Sequence, residues 1–101
     1  MQKYNKLVRD KIPEILDKKG ILYEKRIATD DEYKIELIKK LDEEVKEFLE
    51  ANDIEELADI IEVIEALKRL SEYKDVEDIR MQKLENRGSF NKKIILKGEI
   101  N

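Results

Sequence analysis

Apolar residues recur at helical spacing along most of this chain, and short polar breaks separate the repeats. Leu37, Ile38, Leu41, Val45, Phe48 and Leu49 follow the three-four spacing of a buried stripe, which predicts a helix from about 31 to 51. Thr29, Asp30 and Asp31 offer caps for its start. Asn52-Asp53 then interrupts. Leu57, Ile60, Ile61, Ile64 and Leu67, widened by Val63 and Leu70, predict a helix from about 54 to 73, with Asp53 as its cap. So short a connection makes the two helices antiparallel neighbours.

The flanking segments are less regular. Asp10 to Lys19 reads as a short helix with Asp10 as N-cap, Pro13 in the first turn and Gly20 as the stop. Residues 21–28, ILYEKRIA, alternate loosely and predict a short strand. A helix from about 75 to 87 stops at Gly88, and the apolar stretch of the tail NKKIILKG is expected to pair with 21–28. No repeat, linker or low-complexity block divides the chain, so residues 1–101 form one domain. The expected fold is mainly α: a bundle of about four helices around a central antiparallel hairpin, with a small two-stranded β ribbon.

Composition narrows the chemistry. A chain of 101 residues buries roughly 60–65% of its unfolded surface. With 6% aromatic and 46% charged residues the apolar supply is thin, so oligomerisation is expected to bury a second face. A net charge of −4 argues against a nucleic-acid grip built on bulk electrostatics. The chain has no cysteine and no histidine, which removes disulfides, thiolate nucleophiles, imidazole bases and almost all zinc chemistry. Any metal must sit among oxygens, which favours magnesium, manganese or calcium. No stretch approaches the roughly 18 apolar residues of a membrane span, and MQKYNKLVRDK lacks a secretory signal's apolar stretch. A soluble cytoplasmic protein is expected.

With 25 acids in the chain, carboxylates three apart mean little by themselves, because such neighbours share a helix face anyway. Register and placement single out one set. If the hairpin folds about residues 51–52, Glu44 stands level with Asp59 and Glu47 with Glu56, as two facing rungs. On a helical wheel Glu56 falls between Ile60 and Val63, inside the apolar arc, and Glu44 lies beside Leu37. Acids so placed are partly desolvated and repel one another, so they need protons, basic side chains or a cation. One reading is that Lys40, Lys46 or Lys68 reaches across to pair them. The other is a hard cation. Without an EF-hand loop, magnesium suits a two-rung open site better than calcium.

Basic residues supply a second theme. Arg80, Lys83 and Arg87 share one face of the fourth helix, as phosphate forks or as a face salt-bridged to Glu77 and Glu85. The run Lys6-Leu7-Val8-Arg9-Asp10-Lys11 leads into a helix N-terminus, an anion-friendly place. Phe90, in the loop after Gly88, can stack on a base or cap the core.

Three separated motifs carry a likeness. YNKLVRDKIPEIL, then EEVKEFLE with EELADIIEVIEAL, then KLENRGSFNKKIIL resemble the MazG-like, phosphoribosyl-ATP pyrophosphohydrolase-like group of all-α nucleotide pyrophosphohydrolases, over nearly the whole chain. That group's EExxE…ExxD pattern falls on Glu43-Glu44 with Glu47, then Glu56 with Asp59. Its short spacer and LVRDKIPE signature resemble a compact subfamily. The resemblance implies magnesium-dependent cleavage of a nucleoside triphosphate between its α and β phosphates, giving the monophosphate and pyrophosphate. It also implies a homodimer or homotetramer with sites near subunit boundaries. Under this reading Glu44, Glu47, Glu56 and Asp59 hold magnesium or manganese, and Glu47 or Glu44 activates the water. Lys83 and Arg87 face the phosphates, Arg9 or Lys11 completes the pocket, and Glu43 and Glu62 support the ligands. Phosphoribosyl-ATP hydrolysis is a rival within the same chemistry. A non-catalytic helical module that binds a nucleotide or a partner, with no membrane or nucleic-acid role, is a rival outside it.

Overall fold

The computed structural model describes residues 5–99. Among them lie α1 (Ile12–Lys18), α2 (Asp30–Ala51), α3 (Ile54–Lys68) and α4 (Val76–Arg87), with a 3-10 turn at Ser71–Tyr73. The chain is mainly helical around the expected central hairpin. No described helix is long and apolar enough to cross a membrane.

The hairpin is set by its caps. The Thr29 hydroxyl accepts from the Glu32 N–H at 3.2 Å, satisfying one of the donors that every helix start leaves open. Asp30, Asp31 and Glu32 add negative charge where the helix dipole favours it. At the far end Asn52 adopts the left-handed conformation, φ 54°, and its N–H closes α2 on the Phe48 carbonyl at 2.8 Å. Asparagine tolerates that conformation better than most residues with a side chain. Asp53 follows in extended geometry and accepts from the Glu56 N–H at 2.9 Å to start α3. Two residues thus end one helix and begin the next, and their conformations fix the register of the pair.

The chain departs from expectation in three places. Asp10 is not the cap of α1: the Arg9 carbonyl accepts from the Ile12 N–H at 3.1 Å, so a turn precedes the helix and Lys11 occupies the cap position without a side-chain bond. Gly20, at φ 69°, does stop the helix. Its N–H and that of Ile21 close on the carbonyls of Asp17 and Leu16 at 3.1 and 3.0 Å. The third helix ends at Lys68 rather than 73. Leu70 turns extended (ψ 139°) where the apolar repeat gives out, and a 3-10 turn through Ser71 leads to α4.

The third departure is the ribbon. No strand forms among the described residues, and none of the backbone–backbone hydrogen bonds between described residues involves 22–28 or 94–99. A two-stranded ribbon needs another layer to be stable. Leu22 and Ile95, more than nine-tenths exposed, find none.

Among the described elements the main packing is α2 against α3, with a smaller contact of α3 on the 3-10 turn, and Lys68 of α3 is salt-bridged to Glu77 of α4 at 3.0 Å. Leu37 and Val63 are the buried apolar residues among those described, with Glu44 buried beside them. The radius of gyration is 18.1 Å, against about 13 Å for a compact chain of this length.

Candidate metal centre

The two rungs form as the hairpin register dictates. Glu44 and Glu47 lie one turn apart on α2, while Glu56 and Asp59 lie in the first turns of α3. The backbone N–H of Glu56 is the one that Asp53 caps, so the cap that starts α3 also places this carboxylate. Glu44, Glu56 and Asp59 each bring a carboxylate oxygen within 4.8 Å of the others. Glu44 is only 6% exposed. One oxygen of Glu44 and one of Glu56, Oε2 in each, is shielded from solvent without a hydrogen-bond partner.

Buried carboxylate oxygens without donors favour the protonated acid. Burial, and then the neighbouring Glu47 charge, holds the Glu44 carboxyl above its ordinary range, with Lys40 opposing. Glu56 is pushed up to about 7, first by burial, then by a hydrogen bond and repulsion from Glu47, with Asp53 and Asp59 adding to it. Glu47 is exposed and does not share the three-residue cluster, but it joins the site through Glu56.

Basic side chains compensate part of this charge. Lys40 Nζ lies 3.5 Å from Glu44 Oε1 and 3.5 Å from Glu43 Oε2. Arg9 of the N-terminal segment stands 3.6 Å from Asp59 Oδ1, and Lys6 donates to Glu43 at 3.1 Å. Lys6, ahead of Lys40, holds the Glu43 carboxyl below its ordinary range. Of the lysines expected to reach across, Lys40 does so. Lys46 pairs with Asp42, and Lys68 with Glu65 and Glu77. Lys40 meets Oε1 of Glu44 and leaves Oε2 and the Glu56 oxygen without partners. Three converging carboxylates, two of them with an unpartnered buried oxygen and none accompanied by a nitrogen or sulfur donor, suit a hard divalent cation.

The remaining candidate residues lie elsewhere. Glu62, one turn beyond Asp59, sits 3.9 Å from Arg69 and does not join the cluster. Lys11, Lys83 and Arg87 are exposed, and no ion pair links them to the carboxylates among the described residues. Arg80 is salt-bridged to Glu77 at 3.0 Å, the structural alternative for the basic stripe. Phe90 is fully exposed and caps nothing. A shallow depression of about 260 Å³, lined by Lys6, Leu7, Glu36, Lys39, Lys40 and Glu43, borders the site. Local spacing carries no sign of it, because it forms where the N-terminal segment folds back on α2.

Comparison of the chain with family models, with curated proteins and with solved structures gives no match in any of the three.

Proposed function

We propose that this chain is a magnesium-dependent nucleotide pyrophosphohydrolase that works as a homo-oligomer and cleaves a nucleoside triphosphate between its α and β phosphates. The observation that carries the reading is the buried Glu44, with one oxygen unpartnered, clustered with Glu56 and Asp59. The reaction comes from the three-motif resemblance to MazG-like pyrophosphohydrolases, whose EExxE…ExxD pattern falls on these residues.

In this proposal Glu44, Glu56 and Asp59, with Glu47 beside them, hold magnesium or manganese. The ion would supply positive charge to the phosphates and make a bound water more acidic. The chain's own residues do the rest. Glu47, the most exposed of the four, accepts the proton of the attacking water. The water oxygen bonds to phosphorus, the bridging P–O bond breaks, and pyrophosphate leaves with its electron pair. Arg9 swings from Asp59 to a phosphate oxygen as substrate arrives, and Lys11 follows on the same segment. Lys83 and Arg87 reach the phosphates only if α4, from this chain or a second copy, closes over the hairpin.

The test is a panel of canonical, deoxy and damaged nucleotides with phosphoribosyl-ATP, assayed with magnesium and with products resolved. Pyrophosphate from at least one, lost in Glu47→Gln, is expected. Pyrophosphate from none sinks the enzyme, and orthophosphate alone sinks the cleavage position.

The Arg9–Asp59 and Lys40–Glu44 pairs also suit a second reading, a non-catalytic module whose acids are neutralised internally. That reading predicts no magnesium-dependent rise in melting temperature.

A further inference from the structure

Of the three carboxylates that converge, Glu44 and Glu56 each keep a shielded oxygen without a partner. Asp59 differs. Its Oδ1 lies 3.6 Å from the Arg9 guanidinium, so a positive charge from outside the hairpin already stands at the edge of the cluster. Three residues earlier Lys6 donates to Glu43 at 3.1 Å, and Glu43 directly precedes Glu44 on α2. Residues 6–9 therefore form a strap with one end on each helix of the hairpin, Lys6 on α2 and Arg9 on α3. An extended chain of that length spans about 10 Å.

Lys40 and Arg9 both bring positive charge to the cluster, but a divalent ion would affect them differently. Lys40 sits one turn before Glu44 on the same helix and approaches Oε1 at 3.5 Å, leaving Oε2 to the site. An ion that takes Oε2 leaves that contact standing. Arg9 belongs to an irregular segment, and its side chain is 61% exposed. So open an ion pair is worth little, whereas a dication on Asp59 repels a guanidinium a few ångströms away. Displacing Arg9 is therefore the cheaper outcome. The strap stays attached meanwhile, because Lys6 holds Glu43, which lies outside the three-carboxylate cluster.

We infer that Arg9 is a built-in counter-cation for Asp59, a latch that opposes the divalent ion and opens when the ion binds. The effect is reciprocal: whatever the closed strap costs the ion, the bound ion costs the strap. Opening leaves the guanidinium beside the site, so the metal enters first and an anionic ligand meets Arg9 second. The inference rests on the carboxylates taking a cation and is independent of the reaction.

Two measurements on the full chain test it. The first is isothermal titration with manganese at pH 8, where Glu56 is largely ionised. Arg9→Gln should bind manganese about two- to fivefold tighter than wild type, the worth of an exposed ion pair. Lys11→Gln removes the same charge from the same segment without an ion pair to the carboxylates among the described residues, and should change affinity less. Raising the salt to about 1 M, which screens charges beyond about 3 Å, should close the gap. The second is trypsin digestion, which reads the latch directly because the protease must take the arginine side chain into its own pocket. Manganese should speed cleavage after Arg9 severalfold relative to cleavage after Lys97 in the exposed tail. A bound ion that merely stabilises the fold slows cleavage instead. Asp59→Asn should cleave after Arg9 at the fast rate without metal. Manganese binding that is unchanged or weaker in Arg9→Gln overturns the inference, since Arg9 would then support the site rather than oppose it. So does cleavage after Arg9 that manganese slows or leaves alone. A wild type and an Arg9→Gln variant that both fail to bind manganese would sink the cation site itself, and the latch with it.

Discussion

Because burial and Glu47 push Glu56 up to about 7, a cation entering the cluster has to displace a proton there. At pH 6 about 0.9 of the Glu56 carboxyls carry that proton, and at pH 8 about 0.1. The apparent affinity for a divalent ion should therefore rise about tenfold between these values, and flatten above pH 8 as the carboxylate becomes fully ionised. Glu44, raised in the same direction, steepens the curve at its acid end. Isothermal titration with manganese, run in two buffers of different ionisation enthalpy, reads both quantities at once. It should count about 0.9 proton released per ion at pH 6 and about 0.1 at pH 8, plus any contribution from Glu44. Glu56→Gln removes the proton and one ligand together, so binding should weaken and lose most of its pH dependence. Equal affinity at pH 6 and pH 8, or proton release unchanged in Glu56→Gln, would refute the reasoning.

Four further outcomes follow from the same structure. Glu56 holds a proton in the folded chain that the unfolded chain has already lost between about pH 4.5 and 7, and Glu44 is raised in the same direction, so metal-free stability should fall as pH rises through that window. Thermal melts in chelator at pH 5 to 8 check this, and a melting temperature that climbs from 5 to 8 contradicts it. Leu37→Ala empties the most buried position and should cost about 2–5 kcal/mol in urea unfolding, whereas Leu22→Ala, almost fully exposed, should stay within about 0.5 kcal/mol. Asn52→Val forces a β-branched residue into the left-handed turn and should cost about 1–2 kcal/mol; Asn52→Gly should not, and the pair of melts separates strain from side-chain loss. Asp53→Ala should cost about 1 kcal/mol and also weaken manganese binding, because the same cap positions Glu56; an unchanged affinity would sever the cap from the site.

The hairpin was legible because its determinants are local. The stripes, the Asn52-Asp53 break and the Thr29 and Asp53 caps are each readable within four residues, and together they fix which carboxylates stand level. Glu44 and Glu56 were legible for the same reason, as acids lying at the margin of one apolar stripe and inside the other. What the spacing could not carry lies at long sequence separation. Arg9 meeting Asp59, Lys6 meeting Glu43 and the depression beneath them depend on how an irregular segment folds back over α2. The ribbon was misjudged because the alternation in 21–28 and the apolar Ile94-Ile95-Leu96 describe residues able to pair, not a surface that would hold the pair. Arg80, Lys83 and Arg87 share a face as their spacing requires. A face does not specify its neighbour, and α4 leaves theirs open to solvent.

The central claim, that the hairpin carboxylates hold a divalent cation, is tested most directly by manganese-induced broadening of backbone amide signals in the isotope-labelled chain. At substoichiometric manganese the broadening should centre on residues 44, 47, 56 and 59, fade along both helices, and vanish in Glu44→Gln. Broadening centred instead on Asp30–Glu32 or on Glu62 and Glu65, or spread evenly over the acidic surface and indifferent to Glu44→Gln, would contradict it.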